Sequence, residues 1–133
     1  MKTESVQIKT HQREELVDIT STVQNFAAKS GISEGIVFLH VPHTTAAVTI
    51  NENADPDVKR DILYKLNKEI PQSDGYHHGE GNSDAHVKSS LVGPTLSLII
   101  TGGKLLLGTW QGVYFCEFDG PRTRSLYLKA IEG

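Results

Sequence analysis

The chain has 133 residues, 38% of them hydrophobic and 22% charged, with 13 Lys+Arg against 16 Asp+Glu and a formal charge of -3. Residues 1–133 thus have the size and composition of one globular domain, and the mild acidity excludes the broad basic surface that drives nonspecific nucleic-acid binding. Cys116 is the only cysteine, which excludes an internal disulfide; no secretory apolar stretch opens the chain and no membrane-length apolar run follows, so a cytoplasmic location is expected.

In chain order, Ser5 to Thr10 alternates, with Val6 and Ile8 on one face of a short strand. A helix is predicted from Thr20: Ile19, Val23, Phe26 and Ala27 recur at helical spacing, Asp18 or Thr20 can cap the first turn, and Gly31 suits a left-handed residue past the end. The run EGIVFLHV is apolar on both faces, the mark of a central strand, and Pro42 interrupts it. AAVTIN continues as a second strand. Asp55-Pro56-Asp57 then supplies a cap, a proline at the first helical position and an acid in the positive first turn, with Val58, Ile62, Leu66 and Ile70 as the buried stripe.

PQSDGYHHGEGN is a loop, and a short helix is expected from about Ser83, with Val87 and Leu91 as its apolar pair and Gly93-Pro94 closing it. TLSLIIT, KLLLGTW, GVYFCEF and SLYLKAI complete the chain as strands. Two or three helices and about seven strands without regular βαβ alternation predict an α+β fold with mostly antiparallel sheets. Strands apolar on both faces call for two packed sheets or a face buried against another subunit.

Six histidines stand out. His40 and His43 have opposite parity along their strand, which gives His43 to a pocket mouth and His40 to packing. His77 or His78 from the Gly-rich loop and His86 from the helix start can converge with His43 as nitrogen ligands, leaving a fourth position on a zinc-like ion open. The same residues also read as hydrogen-bonded structural histidines. Glu52, Glu80 and Asp84 are candidate acid/base or ligand-orienting groups, or solvated charges. Arg122 and Arg124, two apart in DGPRTR, suit a phosphate through their planar donor forks, with Glu117 as an internal partner for such an arginine. Trp110 and Gln111 in GTWQG are candidate ligand contacts, although a lone Trp is first a core or interface residue. Cys116 alternates with Tyr114 and Phe118 and reads as an inert buried thiol.

Three blocks in this order, PHTTAAVTINENADPDV, HGEGNSDAHVKSSLVG and LLLGTWQGVYFCEFDGPRTR, are similar to the YjbQ family of secondary thiamine-phosphate synthases. The resemblance covers most of the chain and implies an α+β subunit with a β-sandwich, assembled as a homotrimer. It implies a divalent metal, zinc first, at a histidine cluster on the trimer interface, held by His43, His78 and His86. It further implies a small phosphorylated substrate: hydroxymethylpyrimidine diphosphate is joined to a thiazole phosphate with loss of pyrophosphate. The alternatives are a metal-dependent hydrolase of a small phosphorylated or acyl substrate, and a trimeric metal- or ligand-binding module with incidental activity.

Overall fold

In the computed structural model, which describes residues 2–133, the elements run β1 (Glu4–Lys9), β2 (Glu15–Asp18), α1 (Thr20–Ser30), β3 (Gly35–His40), β4 (Ala46–Glu52) and α2 (Pro56–Glu69). They continue as α3 (Ser83–Val92), β5 (Thr95–Thr101), β6 (Lys104–Leu105), β7 (Gln111–Glu117) and β8 (Thr123–Glu132). Five strands form one sheet in the order β1-β8-β3-β5-β6, and three form a second in the order β2-β7-β4. Every neighbouring pair is antiparallel, as the irregular alternation of elements predicts.

The sheets pack face to face. Val37, Leu39, Leu98, Leu126 and Leu128 point inward from the larger sheet and meet Ala46, Val48, Val113 and Phe115 from the smaller one. Helix α1 adds Val23, Phe26 and Ala27 to that core. Its start is held by Asp18, whose Oδ1 accepts the Thr20 amide at 2.9 Å, and it ends at Gly31 with φ 71°, a conformation that glycine adopts without steric cost. The other face of the smaller sheet, with Leu16, Ala47, Tyr114 and Cys116, is covered by Ile62, Leu63 and Leu66 of α2 and by Ala85 of α3. The cap of α2 is as expected, the Asp57 amide donating to Asp55 Oδ1 at 2.9 Å.

Two expectations fail. KLLLGTW contributes only the two-residue β6, and the rest of it is irregular. In α3 the face is inverted: Val87 and Leu91 are exposed, while Asp84, Ala85, Lys88 and Ser89 are buried. A buried lysine is sustained here because its Nζ reaches Asp84 Oδ2 at 2.9 Å, Asn67 Oδ1 at 2.6 Å and Glu14 Oε2 at 3.2 Å. Among the described residues, none forms a covering layer on the outer face of the five-stranded sheet. There Ile36, Phe38, Ile99, Tyr127 and Ile131 are between 39% and 54% exposed.

Candidate functional site

The site is built where β3 leaves its sheet. Pairing of β3 with β8 stops at His40 opposite Tyr127, and the chain turns through Pro42 into the segment that opens β4. His43 lies in that corner, half-buried, with Nε2 accepting the Ser125 amide at 2.9 Å. Burial, and then the nearby Arg124 guanidinium, push its pKa below the ordinary histidine value; Glu117 opposes them only in part. The imidazole is therefore neutral at neutral pH.

Helix α3 is fastened to the same corner. Ser89 Oγ donates to the Thr44 carbonyl at 2.6 Å, which brings His86 to the opposite wall. Between them lies a depression of about 300 Å³ lined by His43, Thr44, His86, Ser89 and Ser90. His78 meets His86 edge to face, the ring centroids 5.5 Å apart. Its Nδ1 lies 3.1 Å from Ser83 Oγ, and its Nε2 lies 3.8 Å from a carboxylate oxygen of the exposed Glu80. His77 is exposed beside it.

The other sequence candidates divide. Asp84 is fully buried and engaged: Arg13 grips both its oxygens at 3.1 and 3.3 Å, and Lys88 adds a third contact. Burial alone would raise its pKa, yet the hydrogen bonds from Arg13 and Lys88 outweigh that and hold the carboxyl below its ordinary value. It anchors α3 and is not a free acid/base group. Arg124 is likewise removed from phosphate duty. Only 2% exposed, it places Nε 2.9 Å from Glu117 Oε1 and gives Nη2 to Glu117 Oε2 and to Thr45 Oγ1 and carbonyl. Glu117 is the internal partner that strand parity predicted. Arg122 precedes β8, half-exposed, with Nη2 on Asp119 Oδ2 at 3.1 Å, and is the arginine of the pair that remains open to a ligand.

Glu52, Trp110 and Gln111 do not join the histidines within one chain. Glu52 ends β4 opposite Gln111, while His43 precedes the other end of that strand, about 20 Å away at the usual strand rise. The Gln111 side chain is used locally, its Oε1 accepting the Gly108 amide at 2.8 Å. Trp110 is 62% exposed at the tip of that turn and is not a core residue.

The three-histidine metal set does not fit as a unit. Among the described residues no group of three or more His, Cys, Asp or Glu is gathered to hold an ion. His78 fits the chemistry of a ligand, since a partner at Nδ1 leaves Nε2 outward, and His86 adjoins it. His43 does not, because its Nε2 lone pair is taken by an amide hydrogen. Sequence reasoning missed Arg13, Glu14 and Lys88, although Asp84 and Lys88 stand at the i, i+4 spacing that signals a helical ion pair. It also missed the Ser125 amide, which no side-chain pattern announces.

Among the described residues no helix is long and apolar enough to cross a membrane. The family model described as UPF0047 protein YjbQ-like matches residues 4–133. A UPF0047 protein of Methanocaldococcus jannaschii is 58% identical over 94% of this chain and 91% of its own length. UPF0047 protein YugU of Bacillus subtilis is 52% identical over 96% and 97% respectively. A solved YjbQ/UPF0047-family structure from Clostridium acetobutylicum superposes with a TM-score of 0.95 at 52% identity, covering 96% of this chain and 99% of that one. A YbjQ-like structure from Sulfolobus solfataricus gives 0.94 at 32% identity, covering 99% and 97%. With the two sheets, the helices and nearly the whole length in common, the chain belongs to the UPF0047/YjbQ-like family.

Proposed function

We propose that the protein is a small-molecule enzyme of the secondary thiamine-phosphate synthase type, acting as a homotrimer on phosphorylated substrates seated in the depression between His43 and His86. The observation that carries this reading is the meeting of those two histidines from separate elements across one depression, with His43 kept neutral and Arg122 close enough to influence it. In this reaction a thiazole nitrogen attacks the pyrimidine methylene carbon while the carbon–oxygen bond to pyrophosphate breaks. The nitrogen has no proton to lose. What the step asks for is positive charge and hydrogen-bond donors at the departing oxygens. Arg122 and the imidazoles supply both from the chain itself. A divalent ion, zinc first, held by His78 and His86 would add Lewis-acid charge at the same oxygens.

The trimer is supported by the uncovered sheet face. Ile131, Ile36 and Ile99 form one row across β8, β3 and β5, and Phe38 and Tyr127 continue the patch toward Ser125. A monomer in water gains nothing from such a surface, whereas a second and third copy would bury it. Since His43 is bonded to Ser125 near the start of β8, where β3 has left this sheet, assembly would set the depression beside a subunit boundary.

The test is pyrophosphate release from the pyrimidine diphosphate and thiazole phosphate pair, with light scattering for mass. Wild type is expected to release pyrophosphate only when both substrates are present, and His86→Ala and Arg122→Ala to lower the rate by about a hundredfold, the scale of one lost oxyanion contact. Unchanged rates in both variants would remove the site. Release from the diphosphate alone would instead favour hydrolysis.

A further inference from the structure

His43 has a proton whose position the fold decides. In the β3–β8 register His40 stands opposite Tyr127, so continuing the ladder would place Pro42 opposite Ser125. The chain leaves the sheet before that point. The Ser125 amide then lacks a strand partner on the β3 side, while β1 still pairs on the other side through Gln7. Ring nitrogen Nε2 of His43 takes the vacant place, accepting that amide at 2.9 Å. A backbone N–H neither rotates nor titrates, and in a neutral imidazole one nitrogen accepts while the other carries the hydrogen. The proton is thus fixed on Nδ1.

This state has two consequences. A metal needs a lone pair, and the one lone pair of the neutral ring is already used. The ring can therefore act only as a donor. Two of the neighbouring hydroxyls are turned inward, Ser89 Oγ to the Thr44 carbonyl at 2.6 Å and Ser90 Oγ to the His86 carbonyl at 2.9 Å, while the Thr44 hydroxyl stands beside the ring on the exposed side. That leaves His43 as a donor on the wall of the depression, with the cationic Arg122 acting at longer range.

We propose that His43 is not a metal ligand but a fixed Nδ1–H donor to an anionic oxygen of the substrate, of the phosphate or pyrophosphate type. The ligand class rests on the function proposed above; the protonation pattern does not. No covalent step is assigned to His43, which holds its proton throughout and lends it only as a hydrogen bond to the oxygen on which charge accumulates.

Long-range proton–nitrogen correlation spectra of the full-length, metal-free protein at neutral pH test it directly, with His43→Gln to assign the ring. The expected pattern is a protonated Nδ1 and a bare Nε2, unmoved by one equivalent of zinc and shifted at Nδ1 by inorganic pyrophosphate. A protonated Nε2, or zinc moving either His43 nitrogen, would overturn the proposal. Two variants separate the nitrogens without the spectra. His43→Asn sets an amide near the Nδ1 position and keeps a donor, whereas His43→Gln sets one near Nε2 and loses it. Pyrophosphate affinity is expected to fall about tenfold or more in the Gln variant, the scale of one hydrogen bond to a charged group, and much less in the Asn variant. Zinc stoichiometry is expected to be unchanged in both, and the reverse order of affinities or a loss of zinc would contradict the assignment. If wild type binds no pyrophosphate, the substrate class fails, and the spectra still decide separately whether His43 is a bound donor or a metal ligand.

Discussion

Arg124 on β8 and Glu117 at the end of β7 join the two sheets through a buried ion pair, with Nε 2.9 Å from Oε1 and neither side chain more than 2% exposed. Thr10 Oγ1 donates to Glu117 Oε1 at 2.8 Å, and Thr45 Oγ1 accepts from Arg124 Nη2 at 2.8 Å, so the charges are closed off by hydroxyls from two further segments. The sheets are apolar where they meet elsewhere, and this end of the sandwich is fixed by geometry in place of volume. Because His43 adjoins Ser125, the next residue along β8, the pair also sets the height of the depression wall.

Breaking that pair from one side leaves a buried charge alone. Arg124→Met is expected to cost about 3–5 kcal/mol in urea unfolding, and Arg124→Met combined with Glu117→Leu to cost much less. A single variant as stable as wild type would mean that water reaches Glu117.

The same carboxyls give the pH dependence. Burial would raise the pKa of Glu117, but its bonds from Arg124, Asp119 and Thr10 hold it below the ordinary 4.5, and Asp84 is held below 3.8. Depressed folded-state values contribute stability that is full above those ordinary values and is lost as pH falls through them toward the folded ones. The two carboxyls thus leave the urea midpoint level down to about pH 5 and lower it below that, with a shallower drop in Glu117→Gln, while His43, held below its ordinary 6.5, adds a separate decline that begins as the pH falls through that value. A midpoint that rises on acidification would contradict both pairs.

Two glycines make different demands. A Cβ on Gly35 would overlap the Ile131 carbonyl oxygen of the neighbouring strand, which is backbone, whereas one on Gly112 would meet the exposed side chain of Asn53, whose amide can rotate away although its Cβ cannot. Gly35→Ala is expected at or beyond the upper end of the about 1–3 kcal/mol range for overpacking, and Gly112→Ala within that range and below Gly35→Ala. Thermal unfolding of the two side by side checks the order.

Cys116 is buried among Leu16, Ala47, Tyr114 and Phe118, and burial pushes its thiol pKa up to about 12. At pH 8 a disulfide reagent is expected to leave the folded protein essentially unlabelled and to label one thiol per chain in urea. Equal rates in the two states would show that the smaller sheet opens readily.

The uncovered sheet face predicts the mode of assembly. Phe38→Glu places a charge in the middle of the patch, beside Lys129 and Ser97, where a monomer tolerates it. The expected result is monomer mass by light scattering with an unchanged circular dichroism spectrum. A retained trimer would assign the contact to another surface.

The fold was largely legible because it rests on local signals: the Asp55 cap, Gly31 at a left-handed position, and the paired parities of Glu117 and Arg124 all act within a few residues or along one strand. The site was legible in part. His43 and His86 emerged as residues worth watching, but parity says nothing about which amide a ring will meet, and the bond to Ser125 spans 82 positions. Within one chain Glu52 and Trp110 stand apart from the histidines for a related reason, since closeness of motifs in function gives no length for the strand between them. Helix α3 departs from the face that Val87 and Leu91 mark because Asp84 on the same helix, with Asn67 and Glu14 from two other segments, draws Lys88 inside.

That inversion has a bearing on ionic strength. The pairs on α2, Arg60 with Asp57 and Lys65 with Glu69, lie in water where counterions weaken them. Lys88 and Asp84 are shut away from dissolved ions, as their side chains are wholly covered. The helix bearing His86 is thus moored by charges that salt barely touches, and a change in medium would loosen the outer helix long before it disturbed the wall of the depression.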